Sequence, residues 1–384
     1  MLTILLIAAG ALSVLIWIYV LFGRGKFWQV REFELLEPGG GNASERVAVI
    51  LPARNEAEVI AQSLTSLLNQ SYGAIHIFLV DDNSSDQTAQ IAREMSQECG
   101  RPELVTIIPG RALPTGWTGK LWAVHQGIQA ANEFEPDFFL FTDADIVHPK
   151  GGIASLVKRA EAGAYDLVSV MVKLRCKTFA EKLLIPAFVF FFFKLYSPTW
   201  TADVDRVTAG AAGGCMLMRP QAVARIGGIS AIRGEIIDDC ALARRVKDAG
   251  GKLWLGITSS TYSLRTYSSF SGIGEVISRT AFSQLRHSWL LLGITVTGLA
   301  IAYLLPPALL FTGRVFPIVL GVVAWTAMTI AYLRVVRFYA LGHFWALTLP
   351  LADLFFMGAT IASAVRFWRH RGGEWKGRIQ DLAS

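Results

Sequence analysis

The stretch "FLFTDADIVH", residues 139–148, sets an apolar run against two aspartates that are one residue apart. A short apolar run of this kind, bounded by polar residues, is typical of a strand that is buried on both faces of a parallel sheet. Ligands of such sheets bind outside the carboxyl ends of the strands. The run therefore predicts an α/β fold, and Asp143 and Asp145 predict a site at the mouth of this strand.

Apolar runs and amphipathic stretches alternate upstream of residue 139. The runs "VAVILPA" at 47–53 and "IHIFLVDD" at 75–82 are each followed by a helix pattern, at 56–68 and 88–95. Strand, helix, strand, helix implies parallel pairing. We therefore predict a Rossmann-like, mainly parallel sheet in a domain over residues 47–275.

The composition places part of the chain in lipid. The 384 residues are 53% hydrophobic, and residues 1–22 carry no charged side chain. Roughly 20 apolar residues suffice for a spanning helix. Because Arg24 and Lys26 follow the run instead of preceding it, it does not resemble a cleaved signal peptide. We predict an anchor over residues 1–23 and a linker over 24–46, with the following domain in the cytoplasm.

Three more apolar stretches of about span length lie in residues 287–366, before a basic tail at 367–384. If all four terminal stretches cross, the tail lies outside, against the tendency of basic residues to stay in the cytoplasm. We therefore predict a transmembrane region in which one segment is re-entrant, and a cytoplasmic tail. Residues 183–200 contain Pro186 and Lys194, and we interpret them as an interfacial helix.

Charge and cysteine content exclude several classes. The net charge is +6, but the densest basic cluster follows an apolar segment, where basic residues meet anionic lipid more often than nucleic acid. No nucleic-acid partner is expected. The four cysteines show no C-x-x-C spacing, which argues against a disulfide framework and against a zinc site. They are Cys99, Cys176, Cys215 and Cys240.

The two aspartates of the opening stretch suit a divalent cation. On an extended chain, Asp143 and Asp145 point to the same side because they are two residues apart. A few carboxylates together with substrate phosphates commonly hold Mg²⁺ in proteins. We predict that this pair holds Mg²⁺ or Mn²⁺ on a diphosphate. Neither G-x-G-x-x-G nor G-x-x-x-x-G-K-[ST] occurs, which argues against dinucleotide and P-loop sites.

Other polar groups follow or lie between the predicted strands. Asp82 ends the second strand, where a carboxylate can contact a base or ribose. Ser84 and Gln87 fit a capping box for the next helix. Lys120 follows a glycine at a predicted helix start, a place suited to holding phosphate; an exposed surface lysine is the less favoured alternative. Gly213 and Gly214 allow backbone to approach a sugar closely.

A third acidic group, Asp238 and Asp239, opens an amphipathic helix pattern. One aspartate in that position is a common helix cap. Two exceed what a cap requires, so one carboxylate is a candidate general base towards an acceptor hydroxyl. Both interpretations stay open at this stage.

Four motifs, in this order, resemble those of the family-2 inverting glycosyltransferases with a GT-A fold. They are "PARNE" at 52–56, "DDNSSDQT" at 81–88, "DAD" at 143–145 and "DDCALARR" at 238–245. The last is similar to the family's E-D-x-x-L-x-x-R, with Asp238 in place of Glu. "QLRHSW" at 284–289 holds Arg286 and Trp289 displaced from the Q-x-x-R-W motif of lipid-acceptor and processive members.

The resemblance implies a role for each matching residue. The donor nucleotide sugar is bound by Pro52, Asn55, Glu56, Asp82, Lys120 and Asp143, and the metal by Asp145 with Asp143. Asp239, with Asp238 beside it, is the catalytic base. The acceptor side is formed by Gly213, Gly214, Arg286 and Trp289. Transfer is then a single displacement with inversion.

The layout of anchor, domain and C-terminal membrane region most resembles the membrane glycosyltransferases associated with hopanoid biosynthesis in bacteria. It implies a multi-pass protein of the bacterial inner membrane that transfers a sugar from a nucleotide diphosphate sugar to a hopanoid-type or related lipid hydroxyl. Two alternatives are transfer to polyprenyl phosphate or ceramide-like lipids, and a catalytically silent nucleotide-sugar-binding protein.

Overall fold

The computed structural model describes residues 1–33, 44–267 and 269–369, with the strands Glu374–Trp375 and Arg378–Ile379 beyond them. The chain forms two compact units. The membrane unit comprises Met1–Val30, Arg175–Thr199 and Thr266–Gly372, and the α/β unit comprises Arg31–Leu174, Trp200–Arg265 and Gly373–Ser384. Residues 34–43 of the predicted linker and most of the predicted basic tail lie outside the described residues.

Eight of the described strands of the α/β unit form one sheet, and the short strands Glu374–Trp375 and Arg378–Ile379 pair separately, in antiparallel orientation. In chain order the eight strands are β1 (Val47–Ala53), β2 (Ile75–Asp81), β3 (Val105–Pro109), β4 (Phe138–Thr142), β5 (Ile146–Val147), β6 (Leu167–Lys173), β7 (Cys215–Met218) and β8 (Leu253–Ser263). The spatial order is β3-β2-β1-β4-β7-β6-β8-β5.

The sheet is mixed, with a parallel half around β1. Strands β3, β2, β1 and β4 pair in parallel, as do β6 and β8. Strand β7 runs antiparallel to both β4 and β6, and β5 runs antiparallel to β8. The predicted α/β class and the predominance of parallel pairing are confirmed.

The helices complete both units. In chain order they are α1 (Leu2–Ile18), α2 (Ile60–Leu68), α3 (Thr88–Glu98), α4 (Gly119–Ala131), α5 (Gly152–Ala162), α6 (Phe179–Leu195), α7 (Pro198–Ala202), α8 (Pro220–Arg225), α9 (Asp238–Asp248), α10 (Phe270–Gln284), α11 (Trp289–Leu299), α12 (Leu305–Leu309), α13 (Val315–Phe338) and α14 (Leu349–Trp368).

The sheet carries an apolar core on each face. All seven residues of β1 are buried, and alternate side chains along a strand point to opposite faces. Val49 and Leu51 accordingly join one buried cluster with Leu64 of α2. Ile50 joins the other with Leu121 of α4. This two-sided burial explains why the strand reads as a continuous apolar run.

Gly127 lets α4 lie close against the sheet. A Cβ at Gly127 would meet Ile50 Cγ2 at 2.7 Å and Val80 Cγ2 at 3.2 Å, and both of these methyl groups belong to stiff β-branched side chains. We expect Gly127→Val to destabilise the α/β unit by about 1 to 3 kcal/mol through overpacking. Thermal unfolding of the detergent-solubilised protein measures this as a lower melting temperature.

A matched control is Gly73→Ala, because a Cβ at Gly73 meets no atom within 4 Å. We expect that control to melt with the wild type. Equal melting temperatures for Gly127→Val and the wild type would contradict the tight packing of α4.

Within the described residues, four helical segments are long and apolar enough to cross a membrane, which supports a membrane protein. They are Leu2–Gly23, Trp289–Leu309, Val315–Phe338 and His343–Trp368. The segment predicted at 183–200 divides into α6 and α7. Helix α6 contains Pro186 and opens with a capping box in which Thr178 and Glu181 satisfy each other's backbone N–H groups.

All four cysteines are thiols that form no disulfide. Cys215 and Cys240 are buried, whereas Cys99 and Cys176 are half-buried. Burial raises the pKa of the Cys215 thiol to about 12. Cys99 belongs to the α/β unit and Cys176 to the membrane unit.

Candidate functional site

The carboxyl ends of β1, β2 and β4 lie side by side because these three strands are neighbours in parallel. The Asp82 N–H donates to the carbonyl of Ala53 at 2.8 Å, which joins the ends of β1 and β2. The Asp82 side chain is fully buried, and one carboxylate oxygen lies 3.8 Å from Arg54 Nη1. A buried carboxylate needs such a partner.

The "PARNE" and "DDNSSDQT" loops hold each other through their polar groups. The Asn55 N–H donates to Ser84 Oγ at 3.0 Å, and the Asn55 side-chain oxygen accepts the Ser85 N–H at 2.8 Å. The Glu56 N–H donates to Thr88 Oγ1 at 2.8 Å. Asn55 has φ +51°, in the left-handed region that asparagine tolerates. The two motifs therefore act as one local unit.

The predicted capping box of Ser84 and Gln87 is wrong. Gln87 is the N-cap of α3 and makes no side-chain cap hydrogen bond. Ser84 is engaged with Asn55, and the Thr88 N–H donates instead to Asp86 at 3.0 Å. Because the Ser84 hydroxyl accepts the Asn55 N–H and so connects the ends of two strands, it does not cap the helix.

Lys120 lies at the centre of an acidic cluster. It is the second residue of α4, whose N-cap Thr118 accepts the Leu121 N–H. Its Nζ is 2.9 Å from Asp143 Oδ1 and 3.1 Å from Asp238 Oδ2. Burial lowers the pKa of Lys120, but attraction by Asp143 and Asp238 outweighs burial and raises the pKa well above its usual value. The lysine is therefore a permanent cation that joins β4 to α9.

Asp239 is positioned by backbone N–H groups. Its carboxylate accepts the N–H of Gly213 at 2.8 Å and that of Cys240 at 2.7 Å. Burial and the neighbouring Asp238 raise the pKa of Asp239 to about 6, against the lowering effect of Lys120. A carboxylate with this pKa is suited to accept a proton near neutral pH.

The helix-cap interpretation of Asp238 and Asp239 receives only partial support. Both lie in the first turn of α9, but the N-cap is Ile237, which makes no side-chain cap hydrogen bond. Asp239 does satisfy one first-turn N–H, that of Cys240. Asp238 instead pairs with Lys120. The pair thus does more than cap a helix.

Asp143 and Asp145 do not share one side of an extended chain, and that part of the prediction is wrong. Residues 143–145 leave the strand and turn before β5. Asp143 pairs with Lys120, whereas Asp145 Oδ2 accepts the Ser263 hydroxyl at 2.5 Å and lies 3.5 Å from Arg265 Nε. Burial raises the pKa of Asp143, opposed by Lys120.

The donor set of the site fits a divalent cation. Carboxylates of Glu56, Asp143, Asp145, Asp238 and Asp239 face two cations, Lys120 and Arg265. Oxygen ligands and excess negative charge suit Mg²⁺ or Mn²⁺. Among the described residues, no group of three or more His, Cys, Asp or Glu is arranged to hold a metal alone. Protein ligation would therefore rest on one or two carboxylates, with substrate oxygens completing it.

A small cavity of about 20 Å³ is lined by residues predicted for the donor side and for the acceptor side. Its lining includes Pro52, Lys120, Asp143, Gly213 and Asp238. Such a volume holds about one water molecule. Gly213 thus faces the cluster, and a Cβ there would lie 3.2 Å from the Asp239 carboxylate.

The remaining residues predicted for the acceptor side are Gly214, Arg286 and Trp289. Gly214 packs within the sheet, where its carbonyl accepts the Thr142 hydroxyl at 2.9 Å. Arg286 and Trp289 belong to the membrane unit, at the turn between α10 and α11. Arg286 has φ +51°, and the Trp289 ring lies 5.3 Å from that of Phe282.

Arg265 is a residue of this site that the sequence did not reveal. It pairs with Glu56 Oε1 at 3.0 Å and with Asp145 at 3.5 Å. Ser263, which donates to Asp145, was missed as well. Ser263 ends β8 and Arg265 follows two residues later, and both meet Asp145 only through the fold, so no local pattern in the sequence indicated them.

Comparison with known proteins finds relatives of the region that contains most of this site. Residues 48–227 match the family described as glycosyl transferase family 2. A mannosyltransferase from Pyrobaculum calidifontis, solved with GDP-Man and Mn²⁺, superposes with a TM-score of 0.55 at 18% identity, over 95% of this chain and 99% of that one. At that identity the likeness establishes the fold alone, a GT-A domain.

Two curated relatives match in shorter segments. The 4,4'-diaponeurosporenoate glycosyltransferase of Staphylococcus haemolyticus is 34% identical over 106 residues, 28% of this chain and 26% of the relative. The undecaprenyl-phosphate 4-deoxy-4-formamido-L-arabinose transferase of Edwardsiella ictaluri is 32% identical over 133 residues, 33% of this chain and 36% of the relative. The chain thus spans about a quarter to a third of the length of these relatives.

Proposed function

We propose that this chain, which carries a glycosyltransferase family 2 domain of GT-A fold, is a membrane-bound enzyme that moves a sugar from a nucleotide diphosphate sugar to a lipid hydroxyl. The observation that carries the proposal is the cluster of Lys120, Asp143, Asp238 and Asp239 at the strand ends. The four candidate spans of the same chain support a lipid acceptor.

On this proposal the donor side is formed by the "PARNE" loop, the end of β2 and Lys120. Pro52, Asn55, Glu56 and Asp82 bind the nucleotide, and Lys120 offers charge-assisted hydrogen bonds to a phosphate oxygen. Asp145 and Asp143 hold Mg²⁺ or Mn²⁺. That ion, when bound, neutralises charge on the diphosphate leaving group.

Asp239 acts as the general base on the acceptor side. It accepts the proton of the acceptor hydroxyl while that oxygen bonds to the anomeric carbon, and the bond from that carbon to the diphosphate oxygen breaks. Attack opposite the leaving group inverts the anomeric centre. Asp238 and Lys120 hold the base in a charged environment, and Gly213, whose N–H donates to Asp239, lies on the acceptor side.

The acceptor we favour is a hopanoid-type or related lipid hydroxyl. The membrane layout supports it, with an anchor at 1–23, a catalytic domain at 47–275 and membrane segments at 287–366. We propose a bacterial inner-membrane location with the catalytic domain and the basic tail in the cytoplasm. The name of the Edwardsiella relative supports the alternative of a polyprenyl phosphate acceptor.

A nucleotide-release assay tests the transferase proposal. The solubilised full chain is incubated with single UDP or GDP sugars and Mn²⁺, with and without total bacterial lipid, and free nucleotide diphosphate is measured. We expect lipid-stimulated release from one donor, and loss of that release on adding EDTA. Because binding of the metal neutralises the leaving group, we expect removal to cost at least tenfold.

Controls distinguish the transferase from the remaining candidate, a catalytically silent protein that only binds a nucleotide sugar. Re-addition of excess Mn²⁺ after EDTA is expected to restore release, which excludes damage by the chelator. Donor binding without any release, in the presence of each acceptor lipid, would overturn the transferase proposal and favour the silent protein.

A further inference from the structure

The membrane unit contains an open groove between α10 and α14. The two helices run in the same direction, since Phe270 stacks near Phe355 with ring centroids 5.8 Å apart and the Phe282 N–H donates to Ser363 at 3.1 Å. Between them lies a cavity of about 490 Å³. Drug-sized ligand sites have volumes of roughly 300 to 1,000 Å³, so this cavity is large enough for one small lipid.

Small side chains keep the groove open. Gly274 lines it from α10, and Gly358, Ala359 and Ala362 line it from α14. A Cβ built on Gly358 meets no atom within 4 Å. The longer side chains at the start of the groove, Phe270 and Phe355, are apolar. Because α14 belongs to the candidate span His343–Trp368, this apolar wall suits a hydrocarbon body.

The other end of the groove is polar and carries a cation. Arg366 Nη1 donates to Ser278 Oγ at 2.8 Å, and both residues line the cavity. Glu275, one turn earlier on α10 than Ser278, lines the cavity as well. The lining therefore combines small and apolar side chains with a polar set, Ser271, Glu275, Ser278 and Arg366, in which Arg366 is the cation.

We propose that this groove binds the acceptor lipid, with its apolar body along Gly358 and Phe355 and its oxygen head group at Arg366. That the bound lipid is the acceptor of the transfer reaction rests on the proposed function. The head group is a hydrogen-bond acceptor, either a hydroxyl or a phosphate, because guanidinium donates to both. In the chain, α10 begins five residues after Arg265, which pairs with Asp145.

Photolabelling of the full-length protein in nanodiscs tests the groove directly. The probes are a diazirine-bearing prenol and the corresponding prenyl phosphate, followed by digestion and mass spectrometry. We expect adducts on residues of α10 and α14 that line the groove. Gly358→Leu fills the open space without displacing a neighbour, and we expect it to reduce these adducts at least tenfold.

The matched control is Gly298→Leu on α11, a candidate membrane-spanning helix, because a Cβ at Gly298 also meets no atom within 4 Å. It should label as the wild type does. Equal adducts in Gly358→Leu and the wild type, or adducts only outside α10 and α14, would overturn the groove. Equal loss in both variants would also overturn it, since the effect would then not depend on the site.

Arg366→Gln distinguishes the two head groups. A phosphate loses a charge-assisted contact, so we expect its labelling to fall about tenfold or more, whereas a hydroxyl should lose only a few-fold. No change with either probe would remove Arg366 from the site.

Failure of the groove and failure of the transferase give different results. If Gly358→Leu abolishes labelling and lipid-stimulated nucleotide release together, both proposals stand. If Gly358→Leu reduces labelling but the wild type releases no nucleotide diphosphate, the groove is a lipid site and the transferase proposal is rejected. Unchanged lipid-stimulated release in Gly358→Leu rejects the groove as the acceptor site and leaves the transferase standing.

Discussion

Asp239→Asn is expected to lower lipid-dependent transfer by about 10²- to 10⁴-fold, the contribution of a positioned general base. The amide is nearly isosteric and its oxygen can still accept the Gly213 N–H, which the carboxylate accepts at 2.8 Å. The hydrogen bond from the Cys240 N–H is lost, at a cost of about 1 kcal/mol, so the fold should persist. What is lost is the ability to take the proton of the acceptor hydroxyl. The measurement is turnover with saturating donor and acceptor, alongside donor affinity.

The pH profile separates this role from a structural one. With the pKa of Asp239 raised to about 6, the wild type should lose activity as pH falls through about 6, because the protonated carboxyl cannot accept a proton. An asparagine does not titrate, so the residual activity of the variant should lack that acidic limb. A full acidic limb in Asp239→Asn would assign the titration to another group.

Asp248→Asn is the matched control for this substitution. It makes the same chemical change at the other end of α9, where Asp248 is exposed and pairs with Arg244 at 2.9 Å. An exposed pair of this kind contributes little, so we expect turnover within about twofold of wild type. Wild-type turnover in Asp239→Asn itself, with the fold intact, would reject the base.

Lys120→Met is the second substitution with a large expected effect. It removes the cation that lies within 3.1 Å of two carboxylates and leaves them facing Asp239 without compensation. Breaking a fully buried pair costs roughly 3 to 5 kcal/mol, but Lys120 is 23% exposed and solvent screens the charges. We therefore expect a loss of about 1 to 3 kcal/mol in the stability of the α/β unit.

Lys120→Met should also weaken donor binding by about 10- to 100-fold, the value of one charge-assisted hydrogen bond to phosphate. Since Lys120 lowers the pKa of Asp239, its removal should move the acidic limb of the pH profile upward. Titration of donor binding, melting temperature and the pH profile test the three effects separately. Lys158→Met, at an exposed position of α5, is the control.

The double variant Lys120→Met with Asp143→Asn tests the electrostatic cause. Removing one uncompensated carboxylate should recover part of the lost melting temperature, while donor binding stays weak. If the double variant melts no higher than Lys120→Met, loss of the packed lysine stem, and not charge, explains the destabilisation.

The strands around β1 were readable from the sequence because burial on both faces leaves a continuous apolar signature. The antiparallel insertion of β7 between β4 and β6 was not readable, since it depends on pairing between distant segments. For the same reason Arg265, which pairs with Asp145 across 120 positions of the chain, had no local signal. Asp82 and Lys120 could be selected because they follow strand or helix ends directly.

The same limit explains the error at "DAD". Period-two alternation holds only while the chain stays extended, and residues 143–145 turn. Residue type predicted an acidic site correctly, whereas the partners of each carboxylate depend on α4, α9 and β8. Local sequence indicates which chemistry is present, and the fold decides which groups meet.

The thiols provide an intrinsic means of following motion in this protein. Cys215 and Cys240 are buried and should resist alkylation at neutral pH, whereas half-buried Cys99 and Cys176 should react first. Since these two belong to different units, stochastic labelling with a donor and an acceptor dye creates a resonance-energy-transfer ruler without any engineered cysteine. Single-molecule traces recorded with and without nucleotide sugar and lipid would then show whether the distance between the two dyes changes.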